Sequence, residues 1–432
     1  MRVEDTDKER STQANVDAIL DGMKWLGIDA DEGPYYQTER YARYQEVCDQ
    51  LLKSGNAYYC YCTKDELDEL RKGQMAAGDT SRYDGRCRDR AEAREGIDPV
   101  VRFRNPIDGE VIVNDQVKGR VVFRNEELDD LVLLRSDGSP TYNFSVVIDD
   151  WDMGISHVIR GDDHLNNVPR QMNMLLALGV EPPAYAHLPM ILGDDGAKLS
   201  KRHGAVDVRD YREQGYLPEA LLNYLVRLGW SHGDQEIFSR EEMISLFDIA
   251  DVNASASAFN PGKLRWLNQQ YIIATPAEKL GRLLRPFLER LGLDPENGPR
   301  QEDVAEGFHE RAETLVDMAE SCRYCYEDFD KIEPKSAKKH LRPVALEPMV
   351  DVRTRFEAVD DWSTVSLSAA IESCAEAHGI NLGKLGQPLR VAVTGGSVSP
   401  PIDVTLYLVG RERTLTRLDS AIEFIRARVA NV

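Results

Sequence analysis

Apolar side chains recur every three to four residues in two segments near the beginning of the chain, which is the spacing of an amphipathic helix. Residues 11–26 form the first segment and are followed by Gly27, while residues 38–53 form the second and are followed by Gly55. A glycine directly after such a segment is typical of a helix end. The same periodicity dominates from residue 216 onward, without a fixed repeat, and predicts that the second half is built of packed helices.

Between residues 99 and 150 the pattern changes to short runs of alternating apolar and polar residues separated by turn residues, which predicts strands. The candidate strands are Val100–Arg104, Glu110–Val113, Val121–Arg124 and Leu131–Arg135. We interpret this block as a β-rich insertion between segments of a different character.

Two further strands are predicted at Thr141–Ile148 and Gly154–Arg160, and a helix at about Asn167–Leu178. Another strand is predicted around His187–Leu192. A strand that leads through a polar turn into a helix is typical of α/β folds, which bind ligands at the carboxyl ends of their strands. The polar turn Arg160–His164 therefore lies where a ligand site is expected.

The composition limits the classes of function. The chain has 432 residues, enough for two to four domains of roughly 150 residues each. Its formal net charge of −21 argues against a protein that coats nucleic acid with its whole surface, so any RNA contact must be local. No apolar run is long enough for a membrane-spanning helix, and the acidic start Met1–Asp7 is unlike a signal peptide. We expect a cytoplasmic protein whose seven cysteines are reduced thiols or metal ligands.

Three cations stand close together in Lys198–Arg202, in a loop that glycines bracket on both sides. Lysines in a mobile loop can reach a polyphosphate as charge develops during phosphoryl or nucleotidyl transfer. The alternative interpretation is a solvated basic turn, since short basic stretches are common.

The same five residues, Lys198–Arg202, resemble the KMSKS signature of class I aminoacyl-tRNA synthetases, in the KLSKR form of glutamyl-tRNA synthetases. Five further segments resemble motifs of that family in the same order: Arg2–Asp7, Asp31–Gln37, Asp137–Tyr142, Val158–His164 and Leu217–Tyr224. The resemblance covers the whole chain. It favours the bacterial glutamyl enzyme with a helical anticodon-binding region over the glutaminyl enzyme with its β-barrels.

The resemblance implies an α/β N-terminal half, with a Rossmann-type parallel sheet that is incomplete at its N-terminus and carries the β-rich insertion, plus an all-α C-terminal anticodon-binding region. The expected domains are the first part of the catalytic core at 1–55, an insertion that contacts the tRNA acceptor end at 56–134, the second part of the core at 135–194, a stem-contact region at 195–285 and the anticodon-binding region at 286–432.

The activity that the resemblance implies is glutamate–tRNA ligation by a cytoplasmic monomer. ATP, with Mg²⁺ on its pyrophosphate group, would activate L-glutamate as the acyl-adenylate, and the glutamyl group would pass to the 3′ end of tRNA(Glu). Arg311 matches a position near the anticodon in the family. Two alternatives remain: an enzyme that also charges tRNA(Gln), and a tRNA-binding protein without catalysis.

The resemblance also assigns the residues that would bind glutamate. Arg160 would bind the side-chain carboxylate through charge-assisted hydrogen bonds, Tyr142 would add a hydroxyl donor, and Glu4 would pair with the α-ammonium group. A guanidinium disfavours glutamine because the neutral amide turns a donor toward a cation, and one such bond is worth roughly 1.5–3 kcal/mol.

A second set of residues is expected at the reacting phosphates. Asp163, His164 and Lys201 match positions that bind ATP in the family, and Lys198, Ser200 and Lys201 belong to the catalytic loop. Lys201 would stabilise charge on the phosphates while the adenylate forms. The chemistry requires no protein nucleophile.

Cys60, Cys62 and Cys87 form a separate group that could bind Zn²⁺ within the β-rich insertion. Family members commonly have histidine where this chain has Asp89, and a carboxylate is an acceptable but harder ligand. Tyr83 or water is an alternative fourth ligand. The alternative to a zinc site is three thiols without a metal.

The chain shows no HIGH signature, the motif that binds ATP phosphates at a helix N-terminus in the family. The resemblance implies that one strand and one helix precede Met1, and we expect in-frame DNA upstream to encode them. A chain that begins at Met1 would then be poorly soluble and unable to form the adenylate.

Overall fold

The computed structural model describes residues 1–6, 11–90, 92–200, 202 and 207–430. Lys201, one of the expected catalytic residues, lies outside these ranges. The chain forms two compact units: the first comprises Met1–Arg209 and Leu222–Asn260, and the second comprises Asp210–Leu221 and Pro261–Val432.

The strands all belong to the first unit and are short. They are β1 (Arg2–Val3), β2 (Tyr35–Tyr36), β3 (Ala57–Cys60), β4 (Val100–Phe103), β5 (Glu110–Asp115), β6 (Gly119–Arg124), β7 (Val132–Leu134), β8 (His157–Gly161), β9 (Ala184–Leu188), β10 (Ile191–Leu192) and β11 (Ser257–Ala258).

Helices alternate with these strands and then form the second unit. Those up to residue 246 are α1 (Gln13–Leu26), α2 (Tyr41–Lys53), α3 (Lys64–Ala77), α4 (Tyr142–Asp152), α5 (Val168–Ala177), α6 (Val208–Glu213), α7 (Pro218–Arg227) and α8 (Arg240–Leu246). The later ones are α9 (Pro261–Ala274), α10 (Ala277–Arg290), α11 (Gln301–Phe308), α12 (Leu315–Ser321), α13 (Pro334–His340), α14 (Leu346–Glu357), α15 (Thr364–Ala377), α16 (Leu382–Thr394), α17 (Ile402–Val409) and α18 (Arg411–Ala430).

A four-stranded sheet with the order β6-β5-β9-β8 supports the site described below. β9 pairs in parallel with both β8 and β5, whereas β5 and β6 form an antiparallel hairpin. The hairpin comes from the block that the sequence assigned to the β-rich insertion. It therefore shares one mixed sheet with the strands of the core, while β3, β4 and β7 form a separate antiparallel sheet.

The sequence prediction for Thr141–Ile148 is wrong, because this segment begins helix α4 rather than forming a strand. Its aromatic and β-branched residues have high strand propensity. However, Phe144, Val147 and Ile148 have the i, i+3, i+4 spacing of one helix face, and all three are buried in one core cluster. Packing against that core outweighs the local preference.

The predicted helix ends are confirmed where capping chemistry marks them. The side chain of Thr12 accepts a hydrogen bond from the backbone N–H of Asn15 at the start of α1. Gly27 ends the helix with φ of 64°, a left-handed conformation that glycine adopts without steric cost. The predicted strands of residues 100–135 and the helix near 168–177 are also present.

Each unit has its own hydrophobic core. In the first, α2, α4 and α5 pack on the sheet of β3, β4 and β7 around Tyr44, Leu51 and Phe103. In the second, one cluster is centred on α10 and α12, and another on α14, α15, α16 and α18. Burying one Leu or Phe side chain stabilises a fold by about 1.5–3 kcal/mol.

Among the described helices, none has the length and apolar character needed to cross a membrane.

Helices α10 and α11 approach closely at Gly281. A Cβ atom added there would lie 2.7 Å from the backbone nitrogen of Glu302 and 2.8 Å from the carbonyl carbon of Gln301. Since both neighbours are backbone atoms, Gly281→Ala must push the helices apart. We expect the free energy of unfolding, measured by urea denaturation, to fall by about 1–3 kcal/mol.

Gly73→Ala is the matched control, because Gly73 lies in helix α3 with no atom within 4 Å of an added Cβ. Alanine is the better helix former, so this variant should be unchanged or gain up to about 1 kcal/mol. Equal stability of the two variants would show that the α10–α11 contact does not depend on the glycine.

Candidate active site

A cavity of about 870 Å³ opens in the first unit beside the carboxyl end of β8. Its lining includes Glu4, Tyr142, Arg160 and His164. These four residues were expected near the substrates from the sequence, where they are separated by up to 160 positions. The structure therefore brings the expected glutamate-binding residues and one expected ATP-binding residue to a single cavity.

The backbone explains why these side chains meet. Arg160 is near the end of β8, and His164 lies in the 3₁₀ turn Asp162–Asn167 that leads into α5. Tyr142 is the first residue of α4, and Glu4 follows β1. The Tyr142 and His164 rings are 5.9 Å apart. Ends of elements thus supply the polar groups, as in other α/β sites.

The Arg160 guanidinium is held by three hydrogen bonds within the protein. Its Nε donates to Nε2 of His187 at 3.3 Å, and its Nη2 donates to Oε1 of Gln171 at 2.9 Å and to the carbonyl oxygen of His164 at 3.4 Å. The Gln171 amide in turn donates to Oδ1 of Asn143 at 2.9 Å. None of these three contacts uses Nη1, and the Tyr142 hydroxyl lies close enough to the guanidinium to interact with it.

A buried carboxylate supports His187 from the other side. Oδ2 of Asp115 lies 2.6 Å from Nδ1 of His187, and both side chains are fully buried, with 0% exposure. Burial lowers the pKa of His187 below its usual value despite the neighbouring carboxylate. Burial alone would raise the pKa of Asp115, but hydrogen bonds from the backbone of Lys118 and from His187 bring it below its usual value.

Sequence reasoning missed Asp115, His187 and Gln171 as parts of the site. Asp115 and His187 are 72 positions apart in the chain, and Gln171 lies within an amphipathic helix. A histidine in the otherwise apolar strand Ala184–Leu188 is the one sequence signal that could have suggested a buried polar partner.

Acidic groups line the same cavity as Arg160. Glu4 accepts a hydrogen bond from Nη2 of Arg2 at 3.0 Å, and Nη1 of Arg2 donates to Asp150 at 2.7 Å. Burial raises the pKa of Asp150 above its usual value. Burial and the negative charge of Glu4 also raise the pKa of Tyr142, so its hydroxyl stays protonated and can donate. Both anionic groups are thus paired with Arg2, and Arg160 is a separate cation in the lining of the same cavity.

Asp5 has a structural part in placing Glu4. Its carboxylate accepts a hydrogen bond from the backbone N–H of Thr38 at 2.9 Å, at the start of a 3₁₀ turn. β1 and β2 pair in parallel directly before these residues. The conformation of the described part of this motif, Arg2–Thr6, is thus tied to the segment that follows Asp31–Gln37.

The basic loop lies next to the polar turn. Nζ of Lys198 is 3.0 Å from Oδ2 of Asp163, and both side chains are largely exposed. A turn closed by the Gly193 to Ala197 backbone hydrogen bond of 2.8 Å precedes Lys198. Ser200 is partly buried at the end of this described segment. An exposed ion pair of this kind contributes little to stability, so Lys198 can exchange Asp163 for another anion.

Three thiols and one phenol meet in the insertion. The ligand atoms of Cys60, Cys62 and Cys87 all lie within 4.8 Å of one another. Sγ of Cys62 is 3.6 Å from Sγ of Cys87, near the distance of about 3.8 Å that Zn–S bonds of about 2.3 Å produce in a tetrahedral site. The Tyr83 hydroxyl is 3.4 Å from Sγ of Cys60 and 4.0 Å from Sγ of Cys62. Donor types and spacing both fit zinc.

Asp89 does not join this group among the described residues. Its side chain is 91% exposed and pairs with Arg104 at 3.1 Å. The Tyr83 hydroxyl, 3.4 Å from Sγ of Cys60, is an oxygen that does lie beside the thiols. Burial and the charge of Cys60 raise the pKa of Cys62 to about 12, so in the protein alone this thiol is protonated.

Arg311 belongs to the second unit and follows helix α11. It is exposed, and its charge helps to lower the pKa of Arg390, although burial is the larger cause. Nη1 of Arg390 donates to the carbonyl oxygens of Ser399 and Pro400, both at 2.7 Å. The two cations are therefore close enough for their charges to interact.

Both halves of the chain match models of known protein families. Residues 1–266 match the family model described as "tRNA synthetases class I (E and Q), catalytic domain", and residues 279–422 match the one described as "Anticodon binding domain". Glutamate–tRNA ligase 1 of Alkalilimnicola ehrlichii is 58% identical over 431 residues, which are 100% of this chain and 92% of that protein.

Two solved structures are similar over nearly the whole chain. The glutamate–tRNA ligase of Elizabethkingia meningosepticum, crystallised in complex with its amino acid, has a TM-score of 0.86 at 31% identity, covering 98% of this chain and 92% of that one. The glutamate–tRNA synthetase of Elizabethkingia anophelis has a TM-score of 0.83 at 30% identity, with the same coverage.

Proposed function

Since the chain belongs to the glutamate–tRNA ligase family of class I aminoacyl-tRNA synthetases, we propose that it activates L-glutamate with ATP and transfers the glutamyl group to the 3′ end of tRNA(Glu). The observation that carries the proposal is the position of Arg160 in a cavity with Tyr142 and Glu4. These three residues complement the charges of glutamate: a cation and a donor for the side chain, and an anion for the α-ammonium group.

Arg160 and Tyr142 together bind the side-chain carboxylate of glutamate. Because Nε and Nη2 of Arg160 are engaged by the protein, Nη1 is the guanidinium nitrogen that donates to the substrate, and the Tyr142 hydroxyl supplies a second donor. Both groups line the same cavity and can donate a hydrogen bond there. A carboxylate accepts from both, whereas the amide of glutamine has one accepting oxygen and turns its NH₂ toward a donor.

Glu4, which pairs with Arg2 as Asp150 does, binds the α-ammonium group. These contacts leave the α-carboxylate free to react. Its oxygen attacks the α-phosphorus of ATP, the bond to the β-phosphate oxygen breaks, and pyrophosphate leaves. A hydroxyl of the terminal adenosine of tRNA then attacks the activated carbonyl and AMP leaves. Catalysis rests on positioning and on charge stabilisation.

The phosphates of ATP lie on the side of the polar turn and the basic loop. His164 borders the cavity, and Lys198 exchanges Asp163 for a phosphate oxygen when ATP binds. Ser200 and Lys201 continue the loop in this role. Mg²⁺, when bound to the phosphates, neutralises charge on the pyrophosphate leaving group.

The partners in this proposal are ATP, L-glutamate and tRNA(Glu), and the protein works as a monomer in the cytoplasm. The helical unit binds the anticodon, with Arg311 and the neighbouring Arg390 as its local positive charge. The net charge of −21 over the whole chain favours such a confined contact over binding along the whole surface.

Zn²⁺ binds Cys60, Cys62, Cys87 and the oxygen of Tyr83 and holds the insertion together. The site lies at the end of β3, and Arg88, next to Cys87, pairs with the buried carboxylate of Asp130. Zinc would link the segment after residue 80 to β3, as structural zinc sites do in small domains.

The direct test is charging of purified tRNA(Glu) and tRNA(Gln) with radiolabelled glutamate or glutamine, using protein expressed from the full reading frame. We expect glutamate on tRNA(Glu), and the tRNA(Gln) arm measures tRNA selectivity. Specific binding of tRNA(Glu) without charging or pyrophosphate exchange would contradict the ligase proposal and support a non-catalytic tRNA-binding protein.

Arg160→Ala should raise the KM for glutamate by 10-fold or more and lower the preference for glutamate over glutamine, because it removes the cation that reads the carboxylate, a contact worth about 1.5–3 kcal/mol. Charging of tRNA(Glu) with each amino acid measures both effects. Arg282→Ala is the control, since Arg282 pairs on the surface with Glu278 in α10. Unchanged discrimination in Arg160→Ala would show that another residue reads the side chain.

Purified protein should contain about one zinc per chain, and Cys87→Ser should lose most of it. Tyr83→Phe should keep the metal but release it faster to a chelator, because it removes one oxygen ligand. Cys374→Ser is the matched control: Cys374 is a buried thiol in another group that could hold a metal, with Asp351 and His378. Loss of zinc from the control but not from Cys87→Ser would contradict the assignment.

A further inference from the structure

We propose that Asp115 fixes His187 in the tautomer that carries its proton on Nδ1, and that His187 thereby aims the Arg160 guanidinium into the cavity. Asp115 and His187 are then positioning residues for the discrimination of glutamate from glutamine. The inference rests on the proposed function, because it takes Arg160 as the group that reads the side-chain carboxylate.

One carboxylate oxygen of Asp115 is left to accept the proton-bearing Nδ1 of His187, because backbone N–H groups occupy the other. Its Oδ1 accepts hydrogen bonds from the backbone N–H groups of Val117, Lys118 and His187, at 3.0, 2.8 and 3.1 Å. Its Oδ2 is 2.6 Å from Nδ1 of His187. An ionised carboxylate accepts hydrogen bonds and cannot donate, so the proton between them belongs to Nδ1.

The tautomer decides what His187 offers to Arg160. With the proton on Nδ1, a neutral imidazole has a lone pair on Nε2, which accepts from Nε of Arg160 at 3.3 Å. A doubly protonated ring, or the other tautomer, would place an N–H of His187 against an N–H of Arg160. Since arginine stays protonated in proteins, one arrangement of His187 satisfies both neighbours.

Two fixed points orient a planar guanidinium. His187 holds Nε and Gln171 holds Nη2, so the plane of Arg160 is set and Nη1 takes the remaining direction. The sheet provides the alignment, because Arg160 in β8 lies directly opposite His187 in β9. Asp115 is in β5, on the other side of β9 and in register with Tyr185, two residues before His187, and its side chain reaches His187, so hydrogen bonds link the three side chains across three strands.

These hydrogen bonds extend the site into the segment 56–134, which was expected to contact tRNA. Asp115 ends β5, and the turn after it also carries Lys118, whose Nζ is 2.9 Å from Oδ2 of Asp162 in the polar turn after β8. The hairpin therefore positions the glutamate site through a buried carboxylate and fixes the adjacent turn through a second charge.

Asp115→Asn tests the inference with almost no change in volume. The amide oxygen can still accept the three backbone N–H groups, but the NH₂ group would face Nδ1, which must then accept, so that the proton moves to Nε2 and confronts Arg160. We expect the KM for glutamate to rise 10-fold or more and the preference over glutamine to fall, with the KM for ATP within twofold of the parent.

His187→Gln is the rescuing background, because the glutamine oxygen can take the place of Nε2 as acceptor and has no tautomers. We expect Asp115→Asn to change the KM for glutamate by less than twofold in that background. An equal effect of Asp115→Asn with and without His187→Gln would identify a general structural role for Asp115 and overturn the inference.

The tautomer can be read without any activity, from the ¹⁵N spectrum of histidine-labelled full chain, with His187→Gln assigning the signal. We expect a protonated Nδ1 in the parent and a protonated Nε2 in Asp115→Asn. A parent signal with the proton on Nε2, or an Asp115→Asn enzyme with unchanged discrimination, overturns the inference. Failure of the proposed function is read separately, from Arg160→Ala and from charging.

Discussion

A guanidinium can distinguish a carboxylate from an amide only if it cannot turn away from the wrong ligand. Arg160 meets this requirement because two of its nitrogens are engaged by Gln171 and His187 before any substrate is present. The cavity, the order β6-β5-β9-β8 and the helix that begins at Tyr142 all place groups relative to that fixed cation. Preorganised donors of this kind need no rearrangement when the ligand binds.

Burial strengthens the hydrogen bonds between Asp115, His187 and Arg160, but it also makes any unsatisfied polar group in this network costly. A polar side chain removed from water is costly unless its hydrogen bonds are satisfied, and Asp115 and His187 are both fully buried. Asp115 satisfies its carboxylate with three backbone donors and one imidazole. A network in which each member has its partner is rigid, whereas removing one partner leaves an unsatisfied group inside the protein.

The basic loop, in contrast to the buried network, holds its lysine through an exposed ion pair. Lys198 and Asp163 form an exposed pair, which solvent screens and which contributes little to stability. Such a pair holds a lysine near the site without binding it tightly. In the function proposed above, the buried residues would select the amino acid, and the exposed loop would contact phosphates whose charge changes during the reaction.

The sequence by itself determined the local features and the family. Helix α1 with its cap at Thr12 and its end at Gly27 follows from spacing and capping, and the motifs around Glu4, Arg160 and Lys198 could be recognised because each is a continuous segment. Tertiary structure decided the rest. Packing made Thr141–Ile148 helical against its strand propensity, left Asp89 in solvent and brought Tyr83 to the thiols. The contact of Asp115 with His187 joins strands 72 positions apart, and a sequence pattern cannot show which strands will be neighbours, because pairing is set by the packing of the whole sheet.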